Sequence, residues 1–157
     1  MEIIRFVIIL CSLSFTAISV SAADKTNAEL LIGNWELDAA ATIKAMEEEI
    51  AKLPEAEQAS AGMFLQIIEA MEMSIKYTAD NNYFQKANVL GDNQDRSGTY
   101  ILKNSEGKKI TITSSWEKEG VKKNKDSIIL FVTDDQFQVS SAKADSNEPT
   151  FIFNRIK

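Results

Sequence analysis

Any chemistry this chain performs has to be built without histidine, since its 157 residues contain none, and with a single cysteine, Cys11. That removes the commonest general base, the Ser-His and Cys-His nucleophile pairs, and the commonest transition-metal ligand. Carboxylates, tyrosines and lysines remain. Asp92 with Asp95, and Asp134 with Asp135, have the types for acid pairs or hard-metal ligands. Both pairs fall in turn-like stretches, however, where Asp is favoured because it bonds its own backbone. The alternating oxygen ligands and distal Glu of a calcium loop are missing. Glu47-Glu48-Glu49 lies opposite an apolar helical stripe and reads as a solvated face. Lys118, Lys122, Lys123 and Lys125 make a small basic loop whose main effect is solubility. No set of these residues converges on a reaction, so we expect no enzyme, no catalytic residue, no metal site and no cofactor. With 17 Lys+Arg against 23 Asp+Glu, a net charge of −6 and no basic block, nucleic acid is not an expected partner, because neutralising phosphates takes clustered cations.

The first residues read as an address. Met1–Arg5 is a short segment with one basic residue, Phe6–Phe15 is apolar apart from Cys11, Ser12 and Ser14, and small residues dominate through Ala23. Signal peptidase needs small side chains at −3 and −1, which Val20/Ala22 or Ser21/Ala23 supply. The apolar run is about half the ~20 residues that span a bilayer, so an anchor is not expected. Leu10 is bulky where a lipoprotein signal has a small residue before its cysteine. Residues 1–23 are therefore expected to be a cleaved signal, leaving residues 24–157 as one exported domain, periplasmic or extracellular, without stable membrane insertion and without cysteine.

In that domain the apolar pattern has two periods. Leu31, Trp35 and Leu37 share a face, with Gly33 between them, which is the period of a half-buried strand placed at Leu30–Asp38. Asp38 can cap the next element. Ile43, Met46, Ile50 and Leu53, and then Phe64, Ile67, Ile68 and Met71, recur at three- and four-residue spacing, predicting two helices over 39–72 separated at Pro54. From there on the runs alternate: 73–79, 83–89, around 98–102, 110–116, 127–132, 137–141 and 151–156. Gly91–Asp95, Asn104–Gly107 and the charged Glu117–Lys125 are predicted turns or loops, and Asp24–Ala28 a loose start. Eight short strands at even spacing predict a mainly β fold, an antiparallel meander or closed barrel with a helix-turn-helix insert after the first strand.

Tyr77, Tyr100 and Trp116 fall on the inward sets of their strands. They either line a cavity with an apolar wall and a few polar tips or fill an ordinary core, since an eight-stranded barrel accommodates both. Phe64 and Met71 would extend such a cavity from the insert. Met46, Met63, Met71 and Met73 would suit a lid over varied apolar shapes, although methionines at helical spacing commonly serve as core.

Leu31-Ile32-Gly33-Asn34-Trp35 and Phe151-Ile152-Phe153-Asn154-Arg155 together resemble the calycin group: lipocalins, fatty-acid-binding proteins and small bacterial lipocalin-like domains. The first segment is similar to the Gly-x-Trp of that group's first strand, the second to a last strand with a basic residue near its end. The resemblance implies a closed barrel in which Trp35 plugs one end and Arg155 packs over its indole, with Gly33 beside them. The helical insert sits after the first strand, as in fatty-acid-binding proteins. Where those proteins carry an Arg-x-Tyr for a ligand carboxylate, this chain has Arg155-Ile156-Lys157. The function implied is non-enzymatic: an exported lipocalin-like barrel holding a small apolar ligand, with the insert controlling access. The alternative is an envelope or secreted interaction module with a filled core and no ligand.

Overall fold

The computed structural model describes residues 25–143 and 149–157; the expected signal segment lies outside the described residues. The described residues begin with a short helix, α1 (Asn27–Leu31), where a loose stretch and the start of the first strand are predicted. The cause is local. Thr26 and Glu29 form a reciprocal capping box, which satisfies amide groups that a short helix otherwise leaves open. Burial of Leu30 and Leu31 then ties the helix to the body of the protein.

The first strand is therefore β1 (Gly33–Leu37). The helical insert comes next as α2 (Ala39–Ile50), capped by Asp38 accepting from the Ala41 N–H at 2.9 Å, and α3 (Glu55–Glu69), which starts after Pro54. Met71 is not in the second helix but opens the next strand, β2 (Met71–Tyr77). The remaining strands are β3 (Asn82–Val89), the two-residue β4 (Asp92–Asn93), β5 (Arg96–Glu106), β6 (Lys109–Lys118), β7 (Val121–Thr133), β8 (Gln136–Ser141) and β9 (Phe151–Arg155). Three predicted turns or loops are thereby strand in whole or in part, and the first, Gly91–Asp95, holds β4. Asn104–Glu106 continues β5 past a bulge at Leu102/Asn104, and Glu117–Lys125 is the distal part of the β6–β7 hairpin, turning only at Glu119-Gly120. Both turn residues have positive φ, 55° and 74°, the mirror-image turn whose twist matches that of paired strands. Charge disguised this strand, because the hairpin tip extends beyond its neighbours and its side chains meet water.

All pairings are antiparallel. Each long strand pairs with its sequence neighbours, β3 passes to β5, and both β2 and β9 flank β1, so eight strands close into a barrel with no open edge around its girth. The inward faces carry one continuous core. Trp35, Ile75, Tyr77, Tyr83, Tyr100, Ile110, Ile112, Ile129, Phe131, Phe137 and Phe153 pack together with Leu30 and Leu31 of α1. The helical insert contributes less to it than the sequence pattern predicts. Ile68 is fully buried but lies outside that cluster, while Phe64 and Ile67 are half-buried and Met63 is exposed. Instead, α2 runs along β9, where buried Thr42 accepts the Ile152 N–H at 3.0 Å and Asn154 donates to Asp38 at 2.8 Å.

Candidate functional site

The two barrel ends are built from the same pair of residue types, an arginine over a tryptophan. At the first end Trp35 on β1 and Arg155 on β9 are directly opposed. The guanidinium stands 4.2 Å from the indole centroid, within reach of a cation–π contact. Trp35 is fully buried between Phe137 (4.5 Å) and Phe131 (6.4 Å), and its Nε1–H donates to the Leu31 carbonyl at 2.8 Å. Arg155 is held by four acceptors. It donates to the Ile32 carbonyl at 2.9 Å and to the Leu30 and Asp134 carbonyls, and it pairs with Asp135 at 3.2 Å. Gly33 has φ +142°, and a Cβ there would lie 2.5 Å from an Arg155 nitrogen, so glycine is required by conformation and by space. Asn27 of α1 donates to Ser105 and Gly107 at the same end. These donors are used within the protein, on backbone carbonyls, the Asp135 carboxylate and the Ser105 hydroxyl, and with Trp35, Leu30 and Leu31 buried this end is filled.

The opposite end differs. The inward residues one step beyond the buried core are Leu37, Met73, Trp116, Val139 and Phe151, all packed on the core and all only partly buried. The contrast is sharp along single strands: Trp35, Phe137 and Phe153 are 0%, 0% and 1% exposed, whereas Leu37, Val139 and Phe151, each two residues away on the same face, are half-buried. Registers add polar groups to this apolar ring. Gln85 opposes Arg96, Ser114 opposes Lys125, and Trp116 opposes Lys123. Directly opposed residues in an antiparallel pair share a face, so Gln85, Arg96, Ser114, Lys123 and Lys125 all stand on the inward column. The one strand carboxylate on that column at this end, among the described residues, is Asp92 at the β3–β4 tip. This end thus carries a ring of partly buried apolar side chains with cationic residues on the same inward column, and we refer to it below as the cup.

Arg96 stands 4.3 Å over the Trp116 ring. Unlike Arg155, it makes no hydrogen bond and no ion pair among the described residues. Beside it Tyr83 is 4% exposed, and its hydroxyl is buried without a hydrogen-bond partner. Burial pushes that phenol's pKa up, while the Arg96 charge acts in the opposite direction.

Of the residues expected to line a cavity, Tyr77 and Tyr100 are core. They are buried edge to face at 5.2 Å, and the Tyr100 hydroxyl donates to the Thr78 carbonyl at 3.0 Å. Burial drives the Tyr77 pKa upward. Trp116 belongs to the cup, Met71 lies half-buried at the start of β2, and Phe64 lies half-buried on α3. Arg96 and Tyr83 do not stand out in the sequence, because their neighbours come from strand register rather than from local spacing. An open groove of about 570 Å³ involves Glu36, Glu72, Ser74, Lys86, Ala87 and Met73, the last shared with the apolar ring; none of Phe64, Met71, Tyr77, Tyr100 or Trp116 lines it. Among the described residues, no cluster of three or more His, Cys, Asp or Glu is arranged to hold a metal, and no helix is long and apolar enough to cross a membrane. No protein-family model, no curated protein and no solved structure matches the chain.

Proposed function

We propose that this protein is an exported, lipocalin-like, non-enzymatic binding protein that holds a small ligand in the open half of its barrel. The observation that carries the reading is the asymmetry of the inward faces: one end is filled, whereas the other leaves five apolar side chains partly exposed. Binding would bury that surface, at about 25 cal/mol per Å² removed from water. The insert is rooted at the same end, joining β1 to β2, where a shift of α2 and α3 would change access. Export rests on the composition of residues 1–23. The alternative, a filled module that works through its outer surface, has less support. The exposed outward residues Phe84, Ile101, Leu130 and Val132 lie on three different strands and are not register partners of one another.

A neutral apolar fluorophore, N-phenyl-1-naphthylamine, tests the reading. It should bind the protein with enhanced emission, and Ser114→Phe, which fills the cup from β6, should abolish the signal while the fold is retained. Equal binding by the filled variant would place the probe elsewhere and remove the interior site.

A further inference from the structure

The two arginine–tryptophan pairs differ in one decisive respect, the state of the guanidinium donors. A guanidinium has five N–H donors and no way to lose its charge. Arg155 uses its donors on three carbonyls and a carboxylate. Arg96 has an indole beneath it and no acceptor among the described residues. A cation–π contact holds the plane of the guanidinium and leaves its N–H edges available.

A second observation lies next to it. Tyr83 has its ring across the position where Gly98 lacks a side chain: an added Cβ at Gly98 would be 3.1 Å from the Tyr83 Cε1. Gly98 is the residue opposite Trp116, two positions from Arg96 on β5. Tyr83 is more than nine-tenths buried, yet its hydroxyl has no partner. A buried hydroxyl left without a partner is unfavourable, so this donor is poised for an acceptor brought from outside. Lys123, opposite Trp116, adds a second positive charge on the same column.

We propose that the open end of the barrel binds a compact organic anion, its anionic head on the Arg96 guanidinium and the Tyr83 hydroxyl, its apolar body against Trp116, Met73 and Val139. This rests on the reading of the cup as a binding site and specifies its ligand class. The ligand is compact because the cup is shallow. Its apolar ring stands two residues beyond the filled layer on most strands, which at ~3.3 Å per residue and a ~40° tilt gives a depth of about 5 Å. Below that layer Trp35, Phe131, Phe137 and Phe153 occupy the axis, leaving no channel for an extended acyl chain. The head is anionic because the unused groups are donors and cations.

The test compares 2-naphthoate with its neutral isostere naphthalen-2-ylmethanol by isothermal titration calorimetry, with dodecanoate and phosphatidylglycerol vesicles as further arms. The acid should bind at least tenfold tighter than the alcohol, and dodecanoate no tighter than the naphthoate. Arg96→Gln should erase the preference for the acid while leaving the alcohol's affinity in place. Arg96→Lys should restore part of that preference, and Tyr83→Phe should weaken the acid several-fold. Equal binding of acid and alcohol, a preference that survives Arg96→Gln and Arg96→Lys unchanged, or binding to the vesicles alone would each overturn the proposal with the cup intact. Dodecanoate binding a hundredfold tighter would also overturn it, by revealing a deep site. Binding of neither naphthalene compound would overturn the proposed function itself.

Discussion

Arg155→Met and Arg96→Met delete the same charged group from the same kind of stack, and the structure separates their costs. Methionine keeps an aliphatic stem over the indole, so packing loss is small in both. Arg155 loses a cation–π contact on a buried ring, about 1–2 kcal/mol. It also loses charge-assisted bonds to the Leu30 and Ile32 carbonyls, which at about 1 kcal/mol each after partial rehydration adds about 2 kcal/mol. The pair with half-exposed Asp135 adds no more than about 0.5 kcal/mol, because water screens it. The sum is about 3–5 kcal/mol. Arg96→Met loses only a contact at a partly exposed site, about 0.5–1 kcal/mol.

Urea unfolding followed by tryptophan fluorescence measures both variants on one scale. For a domain of this size, each kcal/mol moves Tm by roughly 3–5 °C, so Arg155→Met should melt about 10 °C or more below the parent and Arg96→Met within about 5 °C of it. Equal losses, or a loss below about 1 kcal/mol for Arg155→Met, would refute the distinction between a structural and an available guanidinium.

Other outcomes are expected on the same physical grounds. Trp35→Ala empties a fully buried site ringed by Phe131 and Phe137 and should cost about 3–5 kcal/mol in the same unfolding assay, as deletion of a buried large aromatic does. Burial raises the pKa of Tyr77 above the ordinary phenol value of 10.0, so the unfolded chain releases that proton first. Stability is then fully present below pH 10 and is lost as pH rises beyond it; near-ultraviolet circular dichroism should show alkaline unfolding that Tyr77→Phe shifts upward in pH. Expressed in a Gram-negative host, the protein should be exported with Ala23 or Asp24 as its first residue by N-terminal sequencing, and an intact Met1 in the inner membrane would contradict the signal reading.

How much the sequence discloses depends on which interactions are local and which are set by register. Alternation at Gly33–Leu37 and in the later strands reports directly on one buried face, and the change to helical period near Ala39 reports the insert. The Trp35–Arg155 contact is legible only through the resemblance, since 120 positions separate the two in the chain. The capping box at Thr26 and Glu29 is present in the sequence but lies next to an expected signal segment, so the region reads as slack. The distal β6–β7 hairpin reads as a loop because its side chains are charged on both faces, which is what a strand beyond the barrel rim requires. Met71 fits the helical stripe by spacing, yet α3 stops at Glu69 and Met71 pairs with Val89. Arg96 and Trp116 are on different strands, and nothing local in either segment marks them as partners.

The disguised hairpin and the overlooked arginine belong to the same structural fact. Because β6 and β7 run past the rim, Trp116 and Lys123 stand where the barrel wall continues but its filling has ended. Side chains there pack on one side and meet solvent on the other, so neither a core pattern nor a surface pattern describes them. The filled half, with Trp35 locked by Arg155 and two phenylalanines, Phe131 and Phe137, against it, carries the packing that fixes the fold. That leaves the other half free to keep a cation without an acceptor and a buried hydroxyl without a partner, arrangements a packed core does not tolerate. Sequence rules that assume every position serves folding fail at this end of the barrel, and there the structure keeps unused donors.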